Sequence, residues 1–298
     1  MAPARWANGL WTTSATSKPV CRFHRLLLGL LFAAQAAQAQ QADSTVTSLY
    51  EQWVRRGMTA LQTDSLPQAE ECFREAMRHR PAAPGNYLLF RYIGQIQERE
   101  GKGEEALQTY TLALGLKPKS TELLLDRAAL HYRLGLEERA LMDYSQALDV
   151  EDSNAEALFM RAHILAAKHD YKRARLDYEA VLRQQPTHER ALLGLALLND
   201  KDNRPREAME QMNRLVQLYP SRAVLYAVRG GMEQARKRYE AALHDLSTAI
   251  RLDPANADYY VSRATLYLEM RKKKLARQDA LMAVRLGADA KEMAALLK

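Results

Sequence analysis

Alanine recurs along the chain in one pattern, followed four residues later by a large or apolar side chain and three after that by an apolar, mostly small one. The anchors are Ala69, Ala106, Ala140, Ala174, Ala208, Ala242 and Ala276. Their intervals are 37 and then 34 five times over. Equal intervals of this size mark an internal repeat, which sets the architecture before any local feature does. The longer interval contains Pro84-Gly85-Asn86, read as a turn insertion. With the anchor alanine at position 20, the repeats begin at Tyr50, Tyr87, Thr121, Ala155, Glu189, Ala223 and Ala257.

The spacing predicts two amphipathic helices per repeat. Positions 4, 8 and 11 share one helical stripe, and positions 20, 24 and 27 share another. Position 4 is large throughout: Trp53, Phe90, Leu124, Leu158, Leu192, Tyr226 and Tyr260. Position 8 is always small: Gly57, Gly94, Ala128, Ala162, Ala196, Gly230 and Ala264. Position 24 carries Phe73, Tyr110, Tyr144, Tyr178, Met212, Leu246 and Ala280. Small residues at 8 and 20 let two backbones approach, and large ones at 4 and 24 fill the space beside them. Proline at position 32 (Pro81, Pro118, Pro186, Pro220 and Pro254) ends the second helix, because it cannot continue the hydrogen-bond ladder. A single hairpin cannot bury its apolar face alone, so neighbours must stack.

These residues, over about 50–290, resemble the tetratricopeptide repeat family. The resemblance implies an all-α, right-handed superhelical solenoid of about seven helix hairpins (50–83, 87–120, 121–154, 155–188, 189–222, 223–256 and 257–290). A capping helix is expected at 291–298. Position 11 departs from the family's tyrosine except at Tyr267, and repeats three and seven place Asp152 and Ala288 where the family favours proline.

Ahead of the repeats, Arg5, Lys18, Arg22 and Arg25 precede the apolar run Leu26–Ala34 and the small-residue stretch Ala37-Gln38-Ala39. A basic segment, a short apolar run and an A-x-A site make a secretory signal over 1–39, with a mature start near Gln40. A polar, disordered lead-in is expected over 40–49. Removal of the signal takes four of the 43 basic residues and no acid, so the formal charge falls from +7 to +3. That is no charge of the kind nucleic-acid binding uses, and none is expected. Cys72 alone of the two cysteines remains, so it is expected to be a buried thiol.

No phosphate loop, zinc spacing or nucleophile–base arrangement is present. Asp200-Lys201-Asp202 does not continue as a calcium loop, since Pro205 and Gln211 stand where glycine and glutamate are needed. The chain is therefore read as non-enzymatic, without cofactor or metal.

In the family, first helices line a concave face through positions 2, 5, 9, 12 and 13. The resemblance places Arg91, Gln95, Arg99, Leu125, Ala129, Tyr132, Arg133, Phe159 and His163 there. An apolar floor with an aromatic and flanking arginines suits a peptide segment of another protein. Met58 and Tyr92 replace the asparagines of the family's carboxylate-clamp subset, so that function is not carried over. A second feature is a basic ridge of Lys172, Arg173, Arg236, Lys237, Arg238, Arg271, Lys272, Lys273 and Lys274 on the turns between helices. The expected function is an exported protein-binding adaptor, in the periplasm of a Gram-negative bacterium and acting in envelope assembly. Secretion and signal anchoring are the other locations considered. The alternative function is docking on an anionic membrane or acidic polymer through the ridge.

Overall fold

The computed structural model describes residues 43–291 and 293–297, which are helical with no strand among them. Repeat one is α1 (43–62) and α2 (Leu66–His79), and repeat two is α3 (Asn86–Arg99) and α4 (Gly103–Leu116). Then come α5 (Thr121–Arg133) with α6 (Glu137–Val150), α7 (Ala155–Ala167) with α8 (Tyr171–Gln184), and α9 (Glu189–Lys201) with α10 (Pro205–Leu218). The last pairs are α11 (Ala223–Ala235) with α12 (Tyr239–Leu252) and α13 (Ala257–Glu269) with α14 (Lys273–Arg285), followed by the short α15 (Ala294–Leu297). The chain divides after Leu116 into two compact units. The first holds α1–α4 and the second α5–α15.

Within each hairpin the small-to-large pairing is literal. All seven anchor alanines are fully buried, and position 24 is buried in every repeat. A Cβ built on Gly57 would lie 2.6 Å from the Phe73 ring, and one on Gly94 would lie 2.6 Å from the Tyr110 ring. The ring at position 24 therefore occupies the volume that a side chain at position 8 would need. Asp152 in place of proline does not extend α6, which ends at Val150 as its counterparts end. Repeat seven forms both of its helices, and Gly287 at φ 105° turns the chain out of α14.

Polar side chains close the same hairpins. Arginine at position 7 grips aspartate at position 23 with two parallel bonds in four repeats of the second unit. Arg127–Asp143, Arg161–Asp177, Arg229–Asp245 and Arg263–Asp279 all span 2.7–2.9 Å. Such forks are strong and directional. The hydrogen bond to aspartate raises the pKa of Arg161, Arg229 and Arg263 and holds them charged. Arg229 also reaches Asn213 of the preceding second helix at 2.9 Å, and Arg263 reaches Ser247 at 3.1 Å. One arginine thus ties its own hairpin to the one before.

Position 11, where the family's tyrosine is missing, is buried and polar in four repeats: Gln97, His131, Asn199 and Glu233. The first three meet position 23: Thr109 donates to Gln97 at 2.8 Å, His131 Nδ1 lies 3.1 Å from Asp143, and Asn199 donates to Gln211 at 3.1 Å. Burial lowers the His131 pKa, and Asp143 opposes that shift only in part.

The turn between helices has one geometry throughout. Position 15 takes positive φ in every repeat: Asp64, Gly101, Gly135, His169, Asn203, Lys237 and Arg271. Only two of these are glycine, the residue with no penalty there.

The ends differ from the sequence expectation. Residues 43–49 were expected as a disordered lead-in and are helical, continuous with the rest of α1. Residues 40–42 and the signal at 1–39 lie outside the described residues. In repeats two to seven, positions 3 and 10 are buried, as with Leu89 and Ile96 or Leu123 and Leu130. In repeat one they are Gln52 and Thr59, exposed with Arg56 between them. The outer face of repeat one is therefore polar. Among the described residues of the expected cap over 291–298, Ala294–Leu297 are helical, and Met293 and Leu296 cover Ala264 and Ala280. The turn insertion is knotted by Asn86, whose amide donates to the carbonyls of Arg80 and Pro81 at 2.8 and 2.9 Å. Cys72 is a buried free thiol, with its pKa raised chiefly by burial.

Candidate partner-binding face

In the second unit the first helices of successive repeats touch each other, α7 against α9 and α11 against α13. They form its inner layer, and the side chains they leave uncovered make the candidate site.

The site centres on an aromatic cluster. The Tyr132 ring meets His163 edge-on at 5.9 Å, and Phe159 stacks near-parallel to His163 at 6.4 Å. Phe159 also packs against Tyr178 at 6.0 Å and His188 at 5.6 Å, under the Arg190 guanidinium at 4.4 Å. Phe159 is only 9% exposed, so within the expected groove it forms part of the floor. The outer layer is His163, Tyr132 and Arg190. Burial, then the charge of Arg190, lowers the His163 pKa, against the pull of Glu137. Its imidazole is therefore neutral near pH 7. His188 caps α9 by accepting from the Ala191 amide through Nδ1 at 3.0 Å, which leaves the proton on Nε2. Gly194 makes room for the next element of the cluster, since a Cβ there would lie 2.8 Å from the Tyr178 hydroxyl. Burial pushes the Tyr178 pKa up to about 12.

The remaining expected groove residues fall as follows. Leu125 and Ala129 are half-buried on α5, on the stripe of Tyr132, and Arg133 is exposed at its end. Arg91, Gln95 and Arg99 lie on α3 in the first unit, where Arg99 pairs with Asp64 of the preceding turn. Tyr92 stacks on Phe73 at 5.5 Å and fills the joint between repeats one and two.

Beyond the cluster the inner layer carries an apolar patch that sequence reasoning had not included. Leu197 and Val224 are 40% and 44% exposed. Leu193, Ala227, Val261 and Leu268 are half-buried at matching repeat positions. A Cβ on Gly231 would touch nothing within 4 Å, so the layer is bare there. Positions 5 and 9 of repeat five and positions 2, 5 and 9 of repeat six carried the signal.

The basic ridge separates into two kinds of residue. Arg173 holds Asp170 at 2.5 Å, Arg236 pairs with Asp200, and Arg238 lies 3.4 Å from Glu233. Lys172, Lys237, Arg271, Lys272, Lys273 and Lys274 are exposed and make no ion pair among the described residues. No cluster of His, Cys, Asp or Glu among the described residues is placed to hold a metal ion.

Comparisons with known proteins agree with this architecture. A family model described as a tetratricopeptide repeat matches residues 54–121, 125–187 and 159–223. The crystal structure of a tetratricopeptide repeat protein from Parabacteroides merdae is 30% identical, with a TM-score of 0.66 over 84% of this chain and 98% of that one. The C-terminal part of a repeat protein from Cytophaga hutchinsonii has a TM-score of 0.66 at 15% identity, over 82% of this chain and 99% of that one. MamA from Desulfovibrio magneticus has a TM-score of 0.54 at 24% identity, over 56% and 95%. These last two likenesses concern the fold alone. No curated protein matches the chain.

Proposed function

The chain belongs to the tetratricopeptide repeat family, and from that premise we propose that it is an exported, non-catalytic adaptor that holds a segment of another protein on its inner helix layer. Domains of this family generally bind protein or peptide partners. One observation carries the reading here: the inner layer of the second unit joins an aromatic and histidine cluster to exposed Leu197, Val224 and bare Gly231.

Water gains little from such a surface, and burying Leu197 and Val224 under a partner is favourable at about 25 cal/mol per Å² of apolar area. Tyr132 and His163 offer flat, rigid contact area at low entropic cost. Arg133 and Arg190 flank the cluster and suit a carboxylate on the incoming segment. The partner is therefore an extended or helical segment with apolar side chains and an acidic group. Export follows from the signal pattern at 1–39, and the periplasm of a Gram-negative bacterium, with a role in assembling an envelope complex, is the setting that pattern favours.

The test is in-cell cross-linking of the full chain, followed by identification of the captured protein. The parent is compared with Leu197→Asp combined with Val224→Asp, and with Met142→Asp on the opposite helix layer. A partner lost only in the first variant supports the reading. A partner retained in it, or lost equally with Met142→Asp, contradicts it. Sequencing the N-terminus of the isolated protein tests export, with a start near Gln40 expected.

A further inference from the structure

Over most of its length the turn edge of the second unit is charge-matched. Lys168 reaches Glu138 at 2.5 Å, Arg175 and Arg204 share Asp202, and Arg236 holds Asp200. Each of these cations has a carboxylate nearby, from its own repeat or an adjoining one. Among the described residues, Lys172, Lys201 and Arg206 are unpaired exceptions on the earlier turns, and at repeat seven no turn cation has an ion pair. Arg271, Lys272, Lys273 and Lys274 follow one another, all exposed, with Lys237 on the turn before. A bond of 2.8 Å from the Gln234 amide to Glu269 brings the ends of α11 and α13 together, so these two turns are neighbours. Arg277 and Arg285 add two exposed cations on the outer side of α14, again without an ion pair among the described residues. The acids at this end are few. Asp279 is turned inward onto Arg263, which leaves Glu240, Glu269 and, past the far end of α14, Asp289 exposed.

The same helix leaves apolar side chains in water. Leu275, Leu281, Met282 and Leu286 are 40%, 45%, 37% and 36% exposed. At helical spacing Leu275, Met282 and Leu286 form one stripe, and Lys274, Leu281 and Arg285 form the stripe beside it. The arrangement also opposes the fold on its own terms. Lysines in a first turn face the positive end of the helix dipole. The other second helices of this unit offset such a charge: α6 begins with Glu137 and Glu138, α8 carries Lys172 and Arg173 but is capped by the Asp170 side chain, and α10 and α12 have Glu207 and Glu240 in their first turns. α14 has no acid there and no side-chain cap on Lys272. An anionic cover would offset that cost.

We propose that the outer side of α14, with the turns of repeats six and seven, docks on an anionic membrane surface. The cations meet lipid headgroups, while Leu275, Met282 and Leu286 enter the boundary below them. A lipid surface suits this helix better than a soluble polyanion, because a polyanion offers nothing to the apolar stripe. The contact is peripheral, since no helix among the described residues is long and apolar enough to cross a membrane. It uses a different face from the inner helix layer, so it stands or falls apart from the adaptor reading.

The test is flotation of the full chain with vesicles of phosphatidylcholine, alone or with added phosphatidylglycerol. The ratio of binding to the two vesicles cancels any contribution of the apolar run Leu26–Ala34. Combining Lys272→Gln, Lys273→Gln and Lys274→Gln should lower that ratio about 100-fold, with melting no lower than the parent's. Lys172→Gln should leave it unchanged. Combining Leu275→Ser, Met282→Ser and Leu286→Ser should weaken flotation several-fold without changing binding to soluble polyphosphate. The proposal is overturned if the triple-glutamine variant floats like the parent, or if the apolar variant does. A parent that binds polyphosphate but does not float on anionic vesicles also overturns it.

Discussion

The arginine–aspartate forks offer a direct trial of how these hairpins are held. Asp245 is 4% exposed at its side chain and Arg229 is 17% exposed, and two bonds of 2.7 Å join them. Arg229→Leu would leave a buried carboxylate without a cation. Breaking a buried pair this way costs about 3–5 kcal/mol, and repeat six should lie near the lower end because Arg229 is partly exposed. Asp245→Gln leaves Arg229 with Asn213 and some solvent, so about 1–2 kcal/mol is expected. Making both changes copies repeat five, which has Leu195 and Gln211 at the same positions. The double variant should return to within about 1 kcal/mol of the parent, since an apolar replacement removes the desolvation cost along with the attraction. The coupling between the two sites is then about 3 kcal/mol. Denaturant unfolding followed by circular dichroism measures the sum. Hydrogen exchange over α11 and α12 supplies the local value, because repeat arrays need not unfold as one unit. Single effects that simply add in the double variant would refute the assignment of the forks as buried pairs.

Other outcomes follow from the same geometry. Gly94→Ala should cost about 1–3 kcal/mol, because the fully buried Tyr110 ring stands in the way, while Gly231→Ala should stabilise by about 0.5–1 kcal/mol; melting shifts of the same sign would contradict this. Lys237→Gly, at φ 58°, should stabilise by about 0.5 kcal/mol as the left-handed penalty outweighs glycine's entropy, and thermal melting measures it. His131 has a folded pKa below its ordinary 6.5, so the unfolded chain takes up the proton first. Its contribution to stability is complete above that ordinary value and is lost as pH falls through it toward the folded pKa. His131→Gln should therefore flatten the fall in unfolding midpoint between neutral and mildly acidic pH, and an unchanged slope would count against it.

The repeat register was legible because its markers are steric. A large side chain at position 24 against a small residue at position 8 leaves little freedom, and the pair recurs sixteen residues apart from Phe73 to Leu246. The polar layer was harder to read. Arg127 and Asp143 are sixteen residues apart on different helices, so no helical or strand period joins them, although the same spacing returns at Arg161, Arg229 and Arg263. The positions where tyrosine is missing looked like departures. Gln97, His131 and Asn199 instead meet polar partners at position 23, a dependence visible only once the two helices are side by side. Phe159 was legible as an aromatic of the groove, but its depth was not, because His188 and Arg190 at the start of α9 cover it together with His163 of its own helix. The inner patch at Leu197 and Val224 lies at positions 9 and 2, which the family pattern already names.

The central claim is that the inner helix layer of the second unit holds a protein partner. Hydrogen exchange of the full chain, alone and with its captured partner, tests this most directly. The account predicts added protection in α7, α9 and α11, greatest around His163, Leu197 and Val224. Added protection confined to α8, α10 and α12 would contradict it.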